Sequence, residues 1–273
     1  MKSIAVINQK GGVGKTTTAV NLSAALADRG QTVWLMDLDP QAHASLHLGV
    51  SLNEDDASLY DVLVDDLPLM SVLRPVRERL SLIPSHVNLA AAEIELVSRP
   101  GREHILNKQI RGLETPPEFL IIDCPPSLGL LTINALTSVE DIILPMQPHY
   151  LSLHGLSKIL QSIELVSNAL NPSLRLEGIL FCLFDTGTRL AEEVVHDVES
   201  FFESSADGKP WSGSHPFQSR IRRNIRLAEA PSFGQSIFEY APSSNGAADY
   251  LALAEELSAR YCGRLARPRL RVA

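Results

Sequence analysis

The sequence predicts an α/β fold in three layers, with a mostly parallel central sheet covered by helices on both faces. Three observations carry that prediction. Runs such as "SIAVIN", "EFLIIDCPP" and "VEDIILPMQP" are apolar at consecutive positions, as strands buried on both faces must be. Helical patterns separate these runs, which is how parallel strands are connected. The ends of the strands carry glycines or acids, and the carboxyl ends of the strands are where open sheets of this kind bind ligands.

Taken in order, "SIAVIN" is a strand that ends at a glycine turn, and a helix follows from Lys15 to about Asp28. Ala19, Leu22, Ala25 and Leu26 give that helix its apolar face, and Gly30 stops it. "QTVWLMDLD" is the second strand and "RLSLIP" a short one. "EFLIIDCPP", "VEDIILPMQP" and "LRLEGILFCLF" complete the set. Helical patterns fall near residues 88–97, 101–112, 151–170, 189–203 and 246–261. The long apolar stretch "FLIIDCPPSLGLLTINALTSV" is broken by Asp123 and two prolines, so it reads as strand, loop and helix, not as a membrane span. Residues 204–219, "SSADGKPWSGSHPFQS", read as a surface loop with room for one short strand. No internal repeat is found.

A chain of 273 residues suits a single domain over 1–273, with a basic tail from about residue 263. Hydrophobic content of 45% with 21% charged residues excludes disorder and low complexity. The net charge of −8 taken alone disfavours a nucleic-acid partner, yet the basic residues are unevenly spread. Arg220, Arg222, Arg223 and Arg226 fall in "RIRRNIR", and Arg260, Arg264, Arg267, Arg269 and Arg271 follow near the end with no acid after Glu256. The tail reads as a solvated face. The denser cluster reads as a contact for phosphate backbones, nonspecific in sequence and sensitive to salt. Cys124, Cys182 and Cys262 are odd in number and far apart, which argues against a disulfide framework or a zinc site and fits a reducing cytosol. "MKSIAVIN" is too short for a signal peptide, so a cytoplasmic location is expected. An N-terminal helix-turn-helix is not expected either.

Residues 8–17 read "NQKGGVGKTT". Gly11, Gly12 and Gly14 let successive N–H groups converge on one point, and the helix beginning near Lys15 adds its partial positive charge. Lys15 supplies a charge for the outer phosphates of a nucleotide, and Thr16 a hydroxyl for Mg²⁺. The candidate nucleotide-binding run is therefore Gly11, Gly12, Val13, Gly14, Lys15, Thr16 and Thr17. Lys10 is one lysine more than such a loop needs, and without further information it could equally be a solvated loop residue. "MDLDPQ" places Asp37 and Asp39 on one side of the second strand, and Asp123 ends another.

The pattern K-G-G-x-G-K-T-T, with Gln9 where the ordinary loop has glycine, resembles the deviant Walker A motif of the ParA/MinD family. The resemblance implies a three-layer P-loop NTPase that hydrolyses ATP with Mg²⁺, slowly when unaided. By the same resemblance Lys10 contacts phosphate on the nucleotide of a partner subunit, and Asp39 positions the attacking water. Asp37 sits near the Mg²⁺ water shell, Asp123 holds Mg²⁺ through water, and "PPSLG" senses the γ-phosphate. "PMQPHYLSLHGL", "GILFCLFD" and "RNIRLAEAPSFGQSI" extend the likeness over nearly the whole chain. The second of these resembles a strand ending by the adenine. The third resembles a loop that closes over the base and carries DNA-contacting arginines, here Arg220, Arg222, Arg223 and Arg226. The chain departs from the pattern in two places. Arg222 and Arg223 precede Asn224 where relatives commonly have proline before "RN", and Gly187 stands where some have arginine, the nearest being Arg189.

The likeness is nearest to short ParA-type partitioning proteins, which implies an ATP-dependent homodimer, nonspecific DNA, a ParB-like activating partner and nucleoid association. A MinD-like positioning ATPase is the alternative, but "YCGRLARPRLRVA" has Gly263, Pro268 and few bulky apolar residues, so no membrane contact is expected. A metallocluster carrier would need paired cysteine ligands, which Cys124 and Cys182 do not offer. His43 and His47 have helical spacing, but Ala44 stands where a zincin needs glutamate.

Overall fold

The computed structural model describes residues 1–204 and 207–265 and, within them, the side chains outside 151–154 and 263–265. Most of the expected arginine tail thus lies outside the described residues. β1 (Lys2–Val6) runs into the glycine loop, and α1 (Lys15–Asp28) leaves it for β2 (Val33–Asp37). Three short helices follow, α2 (His43–His47), α3 (Leu59–Val64) and α4 (Leu69–Val72), and then a hairpin of β3 (Arg74–Arg77) and β4 (Leu80–Ile83). Next come α5 (Leu89–Glu95), α6 (Ile105–Arg111), β5 (Phe119–Asp123), α7 (Leu130–Ser138), β6 (Asp141–Met146), α8 (Tyr150–Ala169) and β7 (Arg175–Phe184). The remaining elements are α9 (Arg189–Glu203), β8 (Ile221–Arg222), α10 (Ile225–Glu229), α11 (Ile237–Tyr240) and α12 (Asn245–Leu265).

Among the described residues the strands make one sheet in the order β3-β4-β2-β5-β1-β6-β7-β8. Every pairing is parallel except β3 with β4. The period of two along each strand divides the core. Ile4, Val6, Val33, Leu35 and Ile121 pack on the face covered by α1 and α12, while Ala5, Trp34, Met36, Leu120 and Ile122 pack on the other. Both faces are dry, so the central strands must be apolar throughout. Each fully buried Leu or Ile contributes about 1.5–3 kcal/mol of transfer free energy. Asp37 and Asp123 end β2 and β5, face each other in the register, and by the same period fall on the α1 face. The strand ends therefore deliver acids to the loop that delivers Lys15.

Where the elements differ from expectation, the reasons are local. β3 reads "RPVR", half exposed and holding a proline that only an edge strand tolerates, so it lacks the apolar signature. α2 and α4 are too short for a helical period to register. α12 continues through Gly263 to Leu265, past the expected end at 261. Within 204–219 none of the described residues is a strand, and β8 begins two positions later.

Candidate functional site

The glycine loop is set by hydrogen bonds from both sides. Asn8 donates from Nδ2 to the Pro145 carbonyl at 2.7 Å, and its Oδ1 accepts the Lys10 N–H at 2.9 Å. Gln147 at the end of β6 donates to the Gly12 carbonyl at 3.0 Å. Gly12 (φ 72°) and Gly14 (φ 95°) are left-handed, a conformation costly for any other residue, and Gly14 is the residue from which α1 starts. Lys15 is buried and donates from Nζ to the Lys10 carbonyl at 3.3 Å. Burial lowers its pKa, and the nearby Asp123 and Asp39 charges act against that shift. Lys10 is different: its backbone is fixed at both ends, but its side chain is exposed and makes no ion pair among the described residues.

The three acids have distinct surroundings. Asp37 is fully buried, and its Oδ2 accepts both the Ser45 N–H and the Ser45 hydroxyl at 2.8 Å. Burial pushes its pKa up to about 6 even though these hydrogen bonds favour the anion. Asp39 accepts the Gln41 N–H at 3.0 Å, which fixes the turn into α2. Asp123 is fully buried with no hydrogen-bond partner on either oxygen in bonding geometry. Burial first and the Asp37 charge second raise its pKa well above the usual carboxylate range, with the nearby Thr16 hydroxyl and Lys15 acting the other way. A buried carboxylate without a partner is costly and calls for a cation. No group of three or more His, Cys, Asp or Glu able to hold a metal occurs among the described residues. A buried carboxylate with the Thr16 hydroxyl nearby suits Mg²⁺, which takes one or two protein groups together with water and substrate phosphate.

On the other flank of the loop a cavity of about 190 Å³ is lined by Gly14, Thr17, Cys182, Leu183, Arg222 and Asn224, among others. Tyr250 from α12 closes its floor, its hydroxyl 3.2 Å from that of Thr18. Leu183 adopts φ 51°, where the pairing of β7 with β8 slips. The walls are mainly apolar, and the cavity opens from the same glycines that would hold phosphate.

The arginine cluster is charge-compensated, which the sequence does not reveal because three of the four acids are remote in the chain. Arg220 pairs with Glu192 at 2.9 Å and lies over the Phe184 ring. Arg223 pairs with Asp185 at 3.2 Å, and Arg226 with Glu229 at 2.8 Å. Arg222 differs from these: its Nε, Nη2 and backbone N–H all bond to Asp249, whose carboxylate is 8% exposed.

Several residues that position the site escape sequence reasoning. Ser45 and Glu93 are two; Glu93 on α5 accepts the Leu131 N–H and lies so close to Gly129 that a Cβ there would meet its Oε1 at 2.0 Å. His47 is a third. It is buried while His43 is exposed, so the pair shares no ligand direction. Burial lowers the His47 pKa to about 4, a hydrogen bond to the Gln235 backbone opposing the shift. Beside it Gly49 and Gly234 touch, a Cβ on Gly234 falling 2.8 Å from the Gly49 Cα. Only glycines allow the segment after Asp39 to pack against the segment after the arginines. Cys124 and Cys182 belong to opposite faces of the sheet, so they form no ligand pair.

A strand, a left-handed glycine turn around a buried lysine, and acids on the adjoining strands define a P-loop nucleotide-binding protein. Residues 1–176 match the AAA domain family. The chain is 43% identical over 259 residues to the sporulation initiation inhibitor protein Soj of Bacillus subtilis, covering 94% of this chain and 98% of that one. It is 41% identical over 271 residues to the chromosome partitioning protein ParA of Myxococcus xanthus, covering 99% and 92%. A solved structure titled cobyrinic acid a,c-diamide synthase from Mycobacterium smegmatis, with bound ADP and magnesium, superposes with a TM-score of 0.80 at 34% identity, covering 95% of each chain. The chain belongs to the ParA/MinD family of deviant Walker A P-loop ATPases.

Proposed function

We infer that this chain is an ATP-dependent dimerising switch that binds DNA without sequence preference and partitions or positions a chromosome, plasmid or other cargo. A ParB-like partner stimulates hydrolysis. The ParA-type role rests on the family, and ATP with Mg²⁺ is the ligand set for which the site is built. Residues 1–273 act as one ATPase unit. The higher identity to partitioning proteins than to the synthase supports this reading over a metabolic one.

Lys15 and the N–H groups of Gly11 to Thr17 take the β- and γ-phosphates. The Thr16 hydroxyl and Asp123 would hold Mg²⁺, which when bound draws charge from the phosphate oxygens. Asp39 at the mouth of the site orients the attacking water, and Asp37, tied to Ser45, transmits its position to α2. The single observation that carries the dimer is Lys10. Its carbonyl holds the lysine of its own loop while its ammonium is exposed and makes no ion pair among the described residues, as suits a cation lent to the phosphates of a facing copy. Arg220, Arg223 and Arg226 exchange carboxylate for phosphate along DNA at small cost, because exposed ion pairs are weak. No described helix is long and apolar enough to cross a membrane.

The test is molar mass by light scattering with ATP, ADP or no nucleotide, on an Asp39→Ala background that slows turnover. A dimer with ATP alone, lost in Lys10→Ala while ATP still binds, is expected. An ATP-loaded protein that stays monomeric overturns the switch, and binding to anionic vesicles but not to DNA overturns the cargo reading.

A further inference from the structure

Of the four clustered arginines, Arg222 alone lines the cavity beside the glycine loop, and it alone is fixed by a buried acid. Its Nε–Nη2 edge and its backbone N–H are committed to Asp249 on α12, which sets the plane of the guanidinium and leaves Nη1 without a hydrogen bond among the described residues. A guanidinium held in one orientation loses little entropy on stacking, and an arginine plane is a good surface for a purine. The opposite walls are apolar or hydroxyl-bearing: Leu183, Leu227, Cys182 and Tyr250. A flat heteroaromatic ring attached to phosphates in the glycine loop has this cavity, which begins at Gly12, Gly14 and Thr17, as an adjoining apolar space on the β7–β8 side. The three other arginines are paired with more exposed acids at the surface.

We propose that Arg222 is a nucleobase-binding residue, stacking its Asp249-anchored guanidinium on the purine, and not a DNA contact. Asp249 is the positioning residue that holds it there. The arrangement uses the first arginine of Arg222-Arg223-Asn224, and it rests on the assignment of the glycine loop to a nucleoside triphosphate. One consequence is that the base-binding and DNA-facing residues adjoin: Arg222 ends β8, and Arg223 follows it directly in the chain.

Affinities for ATP and for ribose 5′-triphosphate, which has the phosphates and no base, separate the two assignments. For the unaltered protein ATP binds more tightly than ribose triphosphate; if neither binds, the loop assignment fails and this proposal with it. In Arg222→Ala the ATP affinity is expected to fall roughly 2- to 30-fold, the range of a cation–π contact from exposed to desolvated, with ribose triphosphate affinity unchanged. Arg222→Lys, which keeps the charge but not the plane, loses most of the same advantage, and Asp249→Asn loses part of it. DNA affinity at saturating ATP stays within about twofold of wild type in Arg222→Lys, while Arg223→Ala lowers it. An equal loss of both triphosphates in Arg222→Ala and Arg222→Lys, or an unchanged ATP preference with weakened DNA binding, overturns the proposal. Melting temperatures of the ligand-free variants show whether a fold defect lies behind any common loss.

Discussion

Around Lys15, one cation and three acids sit in the dry interior at the ends of β2 and β5; along residues 220–226, four cations and four acids meet at the surface. Both regions set acids against basic side chains, and the consequences differ. In the first region burial moves the titration of Lys15, Asp37 and Asp123 toward their neutral forms, and neither Asp123 oxygen has a partner in bonding geometry, the Thr16 hydroxyl being only nearby. In the second, Arg220, Arg223 and Arg226 have partners that water screens. A buried charge cluster stores energy that a matching ligand releases, which makes it selective for that ligand. An exposed one exchanges partners freely, which suits a polymer gripped and let go. Arg222 is the exception within its cluster, anchored to a buried acid as the interior charges are.

The largest effect that would break this contrast is at Lys15. Lys15→Ala removes the buried cation beside Asp123 and Asp39, and nucleotide affinity should fall at least about 100-fold, or roughly 3 kcal/mol. Isothermal titration with ATP and Mg²⁺ measures it, and an affinity within tenfold of wild type would show that the interior site is not where phosphate binds.

His47 on α2, buried beside the Gln235 backbone, gives the next largest effect. Its pKa is lowered in the folded protein to about 4, against about 6.5 unfolded, so between these values only the unfolded chain takes up the proton. Its contribution is complete above pH 6.5 and is lost as pH falls through 4, by roughly 3 kcal/mol. Asp37 works in the opposite sense, its raised pKa favouring the fold below 3.8 and ceasing to do so as pH rises through about 6. The difference in urea stability between wild type and His47→Gln, taken at pH 7 and pH 4.5, isolates the histidine. A constant difference would mean that the Gly49–Gly234 contact already opens to water.

A smaller effect sharpens the comparison. Asp123→Asn replaces a buried carboxylate that lacks a hydrogen bond, and the ligand-free protein should gain about 1–3 kcal/mol while losing Mg²⁺-dependent ATP binding. Destabilisation of the apoprotein would show that Asp123 is already satisfied. Smallest in stability is Arg223→Ala with Arg226→Ala. The melting temperature should move by no more than about 2 °C, while the slope of log DNA affinity against log salt should fall by about one per arginine. An unchanged slope would place the DNA surface elsewhere.

The glycine turn and the lysine at the head of α1 were legible because the motif is local, its order set over ten consecutive positions. The six central strands were legible for a related reason: a sheet covered on both faces demands continuous apolar runs. Asp37 and Asp123 could be named from strand ends, but not that one is tied to Ser45 and the other has no partner, since Ser45 reaches Asp37 only through the turn at Asp39 and helix α2. His43 and His47 looked like a pair by spacing; burial against Gln235 separates them.

The sequence by itself determined the layered fold, the nucleotide loop and the set of acids, because each depends on near neighbours or on a period of two or 3.6 residues. Only the tertiary structure decided which acids the arginines meet. Glu192, Asp185 and Asp249 stand 28, 38 and 27 positions away from Arg220, Arg223 and Arg222. Which acid meets which base, and whether water reaches them, depends on how β7, β8, α9 and α12 pack, and no local pattern encodes that.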